Sequence, residues 1–563
     1  MRAGSQLNAT MGEISTIRQP LNGAAFDVVV IGGGVNGVAI ARECARAGAR
    51  TLVLEQNDFA SGTTSRATRI IHGGLRYLEH GELGLVRESL RERERLLRER
   101  PHLVRPLRFV LAMRGEQHHG LLRSGMAIRA GLWLYARLGG RSSDPSAAGI
   151  RELEAALDQG ARWSTFSYDD GQCEFPERLV AEWLTEAVEA GAVARNHTRL
   201  LEVERRNGRV AGVRARDLRS GAEFSVSTGW VVNATGPWVD GVLTSAGVVH
   251  EKPLIGGVRG SHIVLRRRCC TANAAVYSEA ADGRPVFVIP WNGMTLVGTT
   301  EVPDRGDPEQ VRPAAEEIAY LLKTYNALFP ARAASNGEVA YAFAGIRPLP
   351  FVDDLEPSSI TRRHLLYGHE LDGAAGMISV VGGKLTTAGK VGRECARALK
   401  LPVGEPESVM VAAPPANGIE VTLRQWARQV AMVAGIGEAS AAAIAAWHGR
   451  CALHIARMAG RDERLRKPLC AHSEHLVAEA AHAIAREHAM TAADVLLRRV
   501  PVALGGCWSE ECGRTAVQRI AAAMGWSEAR RELELENLER ERSAFLITRP
   551  DAESRPTAAT LTR

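Results

Sequence analysis

The chain has 563 residues, 45% of them hydrophobic and 24% charged, with a formal net charge of +6 from 70 basic and 64 acidic side chains. That is the make-up of a globular protein of several domains, and it excludes an intrinsically disordered or fibrous chain. The small positive surplus suits anionic metabolites or anionic lipids and does not point to nucleic acid.

Residues 1–24 carry no apolar h-region and read as a flexible leader without a secretion signal. No uncharged apolar run reaches the roughly 18–20 residues a spanning helix needs. Residues 27–31, Asp-Val-Val-Val-Ile, read as a buried strand, 35–47 as a helix ended by Gly48, and 51–55 as a second strand. This is a βαβ unit. Residues 85–100 read as an amphipathic helix with Val86, Leu90, Arg93 and Leu97 on one face, stopped by Pro101. Residues 121–141 mix Trp133 and Tyr135 with Arg123, Arg129, Arg137 and Arg141. Two readings stand there: a basic amphipathic segment on a membrane surface, or a helix docked on the protein's own core. Strands are expected near 198–233, 259–300, 338–347 and 377–381. Past about residue 410, Ala, Arg and Glu dominate with helical periodicity, so 410–547 reads as a helical C-terminal cap domain and 548–563 as a flexible tail.

The nine cysteines are odd in number and scattered, which reads as reduced thiols. Cys507 and Cys512 form a C-x4-C pair without a second close pair. Cys451 and Cys470 lie in the same region, which leaves a metal site there as an open alternative, although no metal is expected in the active centre.

The strongest local signal is Gly32-Gly33-Gly34-Val35-Asn36-Gly37, between the first strand and its helix, with Glu55 at the end of the next strand. Gly32 permits the tight turn, Gly34 lets a pyrophosphate approach the backbone, and Gly37 allows close packing of helix and strand. The helix N-terminus offers free N–H groups, and Glu55 can accept hydrogen bonds from a ribose. The motif alone does not separate NAD from FAD. Asn233-Ala234-Thr235-Gly236, after an apolar run almost 200 residues later, looks like a cofactor-domain strand returning beneath the adenine half. Gly382-Gly383-Lys384-Leu385-Thr386-Thr387 is a third Gly-rich turn after an apolar strand, with a helix expected to start there. Three such turns imply a cofactor domain assembled from discontinuous segments.

Several strings resemble, in order and spacing, those of the FAD-dependent, quinone-linked (aerobic) glycerol-3-phosphate dehydrogenase family. They are Ser65-Arg66-Ala67-Thr68-Arg69-Ile70-Ile71-His72-Gly73-Gly74-Leu75-Arg76-Tyr77, Val232-Asn233-Ala234-Thr235-Gly236-Pro237-Trp238, Gly260-Ser261-His262, Gly298-Thr299-Thr300, Gly345-Ile346-Arg347-Pro348-Leu349 with Ile360-Thr361-Arg362, and the turn at Gly382. The resemblance implies an α/β fold: an FAD-binding Rossmann-like domain of the glutathione-reductase or D-amino-acid-oxidase type, interleaved over 25–405 with an α+β substrate domain (mainly 80–175 and 255–370). It implies FAD on Gly32, Gly34, Gly37, Glu55, Thr63, Thr64, Ser65, His72, Gly73, Ala234, Gly236, Gly383, Leu385 and Thr386. It implies oxidation of sn-glycerol 3-phosphate to dihydroxyacetone phosphate by hydride transfer. The partners would then be ubiquinone or menaquinone, an anionic membrane surface and a second copy of the chain, with no nucleic acid. The location would be cytoplasmic, at the inner face of the cell membrane.

A phosphate monoester needs fixed cations, and Arg76, Arg347, Arg362 and Lys384 are the candidates, with Tyr77 as a substrate hydrogen-bond partner. Arg347, Lys384 and His262 are the expected catalytic groups. Oxidising a secondary alcohol needs a base for the hydroxyl proton, and His262 is the first choice because imidazole titrates near neutrality. His72 is the alternative, or a residue that structures the loop by the flavin. The chain departs from the family pattern at Thr68-Arg69 (Ser-Lys in the family), Glu301 (Asp), Phe175-Pro176-Glu177-Arg178 (an Asp-Ala-Arg pattern) and Ala388 (an aromatic). The alternative reading is a related FAD-dependent oxidase or dehydrogenase acting on an amine, amino acid or other hydroxy acid; a third is a non-catalytic FAD-fold binding protein.

Overall fold

The computed structural model describes residues 20–75, 81–114, 125–139, 147–268, 274–353, 360–404 and 418–546. Arg76, Tyr77, the tail at 548–563 and most of the leader lie outside them.

The first sheet has a parallel centre in the order β17 (Met377–Val381), β9 (Glu223–Asn233), β1 (Ala25–Ile31), β2 (Thr51–Leu54), β6 (Val193–Arg195). Strand β16 (Leu365–Gly368) is antiparallel at one edge. The hairpin of β7 (Thr198–Arg206) and β8 (Arg209–Asp217) joins through β9. In β1, Phe26 and Val28 to Ile31 are all buried, as expected of a parallel strand covered on both faces. Val28 and Val30 face helices α1 (Val35–Arg46), α5 (Pro176–Glu189) and α8 (Ala388–Ala398). Val29 and Ile31 face the layer formed by the β7–β8 hairpin and α6 (Val239–Ser245). The expected βαβ unit is present within two residues at each boundary.

The second sheet runs β14 (Val302–Pro303), β10 (Val258–Leu265), β13 (Met294–Gly298), β12 (Pro285–Trp291), β11 (Ala274–Glu279), β4 (Val104–Arg114), β5 (Trp163–Cys173), β3 (Ile70–Ile71), with β15 (Val339–Arg347) paired to β10. Only the β11–β4 pair is parallel. One face packs on α4 (Ala147–Ala156) and α7 (Ala315–Leu328) through Ile263, Val276, Val297, Leu321 and Phe329. The other face carries Phe109, Ile289, Trp291, Tyr341 and Phe343, which share one core with Leu469, Leu496, Val517 and Leu538 of the C-terminal helices. That domain contains α9 (Ile419–Ala434), α10 (Glu438–His448), α11 (Ala452–Arg461), α12 (Val477–Arg486), α13 (Ala492–Asp494), α14 (Glu510–Met524) and α15 (Glu528–Ser543). It is therefore fused to the second sheet, not tethered beside it. Within the stretch expected in the substrate portion, Leu365–Gly368 form an edge strand of the first sheet, while Ile360, Thr361 and Arg362 line the second cavity.

Helix α2 (Leu83–Glu99) buries Val86, Leu90 and Arg93, with Leu96 rather than Leu97 completing the face. Arg93 is tied to Asp170 by an Nη1–Oδ1 bond of 2.8 Å. Helix α3 (Gly125–Gly139) docks one face on the protein's own core and leaves the other exposed. Tyr135 is buried and donates to Asp170 Oδ1 at 2.8 Å, while Trp133 is 67% exposed between the exposed Arg129 and Arg137.

Candidate active site

The glycine motif produces a groove at the C-terminal edge of the first sheet. Gly32 sits at φ +100°, and a Cβ there would come within 2.7 Å of the Ala234 carbonyl oxygen. A Cβ on Gly37 would lie 1.9 Å from the Gly32 oxygen, so α1 can start against the turn only without a side chain. Glu55 closes the turn: Oε2 accepts from Gly33 N at 2.6 Å and Oε1 from Asn57 N at 2.8 Å. Burial raises its pKa, and those two N–H groups oppose the rise. Thr64 Oγ1 accepts from Val35 N at 3.0 Å at the start of α1.

The groove opens into a cavity of about 1000 Å³. Of the expected cofactor residues, Gly32, Gly34, Glu55, Thr63, Thr64, Ala234, Gly236, Gly383 and Leu385 line it, as does Lys384. Gly37, Ser65, Gly73 and Thr386 do not line it. Two buried atoms of lining residues, Asn36 Oδ1 and Trp238 Nε1, have no hydrogen-bond partner among the described residues. A long cleft with glycine backbone at one end, a carboxylate beyond it and orphaned polar atoms on its wall suits a flavin dinucleotide. Asn36 and Trp238 lie inside motifs read from the sequence but were not singled out there.

A second cavity of about 300 Å³ lies against the second sheet, lined among others by Thr68, His72, Arg284, Glu301, Arg347 and Arg362. Arg347 is fixed by an Nη2–Oγ1 bond to Thr299 of 2.9 Å and by the Thr300 carbonyl. Arg362 Nη2 donates to Glu301 Oε1 at 2.9 Å, while its Nη1 is buried with no hydrogen-bond partner among the described residues. An aromatic wall completes the cavity: Phe109 stacks on Tyr168 with centroids 5.3 Å apart, and Tyr277 on Phe287 at 4.8 Å. Arg284 and this wall carry no motif, and the sequence reading missed them.

His72 lies on the wall of the second cavity. Its N–H donates to Thr386 Oγ1 at 3.1 Å, and the next residue's N–H donates to Tyr135 Oη at 2.8 Å. Burial, with Lys384 and Arg93 nearby, pushes the imidazole down to about 3. His262 does not line either cavity. It is 2% exposed, stacked on Phe343 at 5.1 Å, with Nε2 3.0 Å from Thr68 Oγ1. Burial, with Arg347 and Arg69 close by, pushes its pKa down to about 3. The ring is therefore neutral at physiological pH and meets the cavity wall at Thr68. Lys384 is pushed down to about 7 by burial, against the pull of Glu88 and Glu82.

Two of the departures from the family pattern turn out to be partners. Arg69 Nη1 and Nη2 reach Glu177 Oε2 and Oε1 at 3.2 and 3.3 Å, wholly buried, with the guanidinium over the Trp291 ring at 4.7 Å. Arg178 pairs with Glu487 of the C-terminal domain at 2.5 Å.

Residues 27–388 match the family model described as FAD dependent oxidoreductase, and 414–531 that of the C-terminal domain of alpha-glycerophosphate oxidase. The chain is 41% identical over 390 residues to the glycerol-3-phosphate dehydrogenase of Synechocystis sp., covering 66% of this chain and 70% of that protein. It is 31% identical over 523 residues to glycerol-3-phosphate dehydrogenase 2 of Mycobacterium bovis, covering 91% and 87%. In fold it is similar to the glycerol-3-phosphate dehydrogenase from Bacillus halodurans solved with FAD, with a TM-score of 0.73 at 24% identity over 95% of this chain and 97% of that one. With the dinucleotide groove, the motifs and both family models in agreement, the chain belongs to the FAD-dependent glycerol-3-phosphate dehydrogenase family.

Proposed function

We propose that the protein oxidises sn-glycerol 3-phosphate at C2 to dihydroxyacetone phosphate and delivers the electrons to a membrane quinone, ubiquinone or menaquinone. The observation that carries the substrate reading is the set of guanidinium groups on the second cavity, Arg284, Arg347 and Arg362, with Nη1 of Arg362 left as a buried free donor. A phosphate monoester dianion answers such forks directly. An amine substrate would present a cation to three cations, and an amino acid would answer them with one carboxylate.

FAD, when bound in the first cavity, supplies the acceptor for the hydride from C2. The chain's own part is to hold the phosphate and take the hydroxyl proton. Arg347 and Arg362 fix the phosphate, while the stacked Phe109, Tyr168, Tyr277 and Phe287 keep water from the reacting carbon. The proton route runs from the substrate hydroxyl to Thr68 Oγ1 and on to His262 Nε2. Arg347 depresses the basicity of His262. A dianion seated on Arg347 offsets that part of the shift, while burial, its larger cause, remains.

For the membrane, the support is the outward stripe of α3, where Arg129, Trp133 and Arg137 recur every four residues and are all exposed. A tryptophan flanked by arginines matches an anionic interface and a peripheral position on the inner face of the cell membrane. Among the described residues no single helix is long and apolar enough to cross a membrane.

The test is anaerobic addition of sn-glycerol 3-phosphate to the purified flavoprotein. Bleaching of the flavin, reversed by a soluble quinone and much weakened in Arg347→Ala, is the expected result. A flavin that ignores the phosphate ester and bleaches with an amine or amino acid would overturn the substrate. Reoxidation by oxygen with stoichiometric peroxide, and none by quinone, would overturn the acceptor.

A further inference from the structure

The C-terminal domain holds a cluster of thiols and an imidazole that the flavin chemistry leaves unused. Cys470, His472 and Cys512 place their ligand atoms within 4.8 Å of one another. Cys470 and Cys512 are 1% and 4% exposed, and Cys512 Sγ is 3.7 Å from His472 Nδ1. In the sequence the C-x4-C pair of Cys507 and Cys512 has no second close pair. The fold supplies it from a turn about 40 residues away, as Cys470-x-His472, and leaves Cys451 out: that thiol belongs with His482.

The backbone around the cluster has the form of a ligand turn opposed to a helix end. Leu469 N donates to the His475 carbonyl at 2.7 Å and Ser473 N to the Cys470 carbonyl at 3.3 Å, so Cys470 and His472 project from a closed turn. Cys512 sits in the first turn of α14, its N–H capped by Ser509 Oγ at 3.2 Å, where the helix end favours a thiolate. Cys507 is exposed on the loop before it, close enough to Cys470 to act on it electrostatically, and its carbonyl lies 3.7 Å from Cys512 Sγ. A second group, His448, His482 and Glu487, meets the same distance criterion but is already committed: Glu487 to Arg178 at 2.5 Å and His448 to Glu479 at 2.9 Å.

We propose that Cys470, His472, Cys507 and Cys512 bind one zinc ion, a structural Cys3His site that ties the 469–475 turn to the start of α14. Three thiolates and an imidazole are a closed tetrahedral set for zinc, with Zn–S near ~2.3 Å, and leave no position open for catalysis. The loop so clamped is the one that seats this domain on the second sheet. Tyr341 Oη donates to the Gly505 carbonyl at 2.7 Å, Asn292 Nδ2 to the Leu504 carbonyl at 3.0 Å, and Arg266 Nη1 to the Gly506 carbonyl at 3.4 Å. The ion would thus stabilise the joint between the C-terminal helices and the sheet that carries Arg347.

The test uses the full-length flavoprotein purified under reducing conditions without chelator. Elemental analysis is expected to find about one zinc per chain. Cys470→Ser, Cys507→Ser and Cys512→Ser abolish it, and Cys451→Ser keeps it. Should the serine variants fail to fold, the wild-type protein serves alone. Stripping with a chelator and refilling with Co²⁺ must then produce thiolate-to-cobalt charge-transfer absorption, and Zn²⁺ must displace it. A wild-type protein that carries no zinc and binds none when Zn²⁺ is added would overturn the proposal. So would a Cys470–Cys512 disulfide in the non-reduced peptide map.

Discussion

Thr68 Oγ1 and His262 Nε2 lie 3.0 Å apart, and Thr68 lines the second cavity while the buried imidazole behind it does not. On the proposed proton route this hydroxyl is the positioning and relay group, so its removal should separate His262 from the substrate without disturbing the proposed phosphate clamp. Thr68→Val is expected to lower kcat by about 10²-fold with KM little changed, while Thr68→Ser retains most activity. Steady-state kinetics with sn-glycerol 3-phosphate check this; a large rise in KM with kcat intact would show that Thr68 serves binding only.

The pH dependence should come from Lys384, not from His262. His262 is held neutral by its lowered pKa of about 3, so it contributes no limb between pH 5 and 8. Lys384, lowered to about 7, is cationic below that pH and neutral above it. Attraction for an anionic ligand is present below pH 7 and is lost as pH rises through it. The kcat/KM profile, which reports the free enzyme, should fall on the alkaline side near 7. In Lys384→Met that limb disappears, and in Lys384→Arg it moves out of range. A wild-type profile with no alkaline limb near 7 would contradict this placement of Lys384.

The first βαβ unit is legible in the sequence because its signals are local: Gly32, Gly34 and Gly37 are fixed by turn and packing sterics within a few residues of β1. The two cavities are not, because their walls come from strands paired across hundreds of residues. Arg347 was legible as a motif, whereas Arg284 and the Phe109–Tyr168 stack were not. The same limit hides why Arg69 and Glu177 stand where the family has other residues. Each looks like an isolated departure until the fold brings them together across 108 positions. They act as a unit. Glu177→Ala leaves a fully buried guanidinium unpaired and should cost about 3–5 kcal/mol. Adding Arg69→Lys, which restores the commoner pattern, should recover part of that loss. Denaturant unfolding of the two single variants and the double one measures the coupling; additive losses would show that the pair is independent.

Trp133 is the residue that tests the proposed membrane contact of α3, since Tyr135 on the same helix is spent on Asp170 inside the protein. Trp133→Ser should weaken sedimentation with anionic vesicles and leave quinone reduction in detergent unchanged. Arg129→Glu with Arg137→Glu should abolish vesicle binding at low salt, and added salt should weaken that of the wild type. Undiminished sedimentation of all variants would move the contact elsewhere.

Asp58 fastens the C-terminal domain to the cofactor groove. It follows Asn57 on the cavity wall, and its carboxylate takes Nη1 and Nη2 of Arg499, each at 2.8 Å, together with Nε of Arg498. Arg498 in turn reaches Asp494 at 2.9 Å, and Asp494 pairs with His197 of the cofactor domain at 3.0 Å. Burial would raise the pKa of Asp58, but Arg499 and Arg498 hold it below the usual range. Its stabilising contribution is thus fully present above the unfolded value near ~4 and lost only as pH falls below it. Asp58→Asn leaves the buried Arg499 without its counter-charge, while Arg498 keeps Asp494 and Glu541, so a loss of about 3–5 kcal/mol is expected. Because the lost group adjoins the groove, FAD retention should weaken with it, read as faster release of flavin fluorescence on warming. A variant that unfolds earlier yet keeps its flavin to the same temperature would separate docking of the helices from cofactor binding.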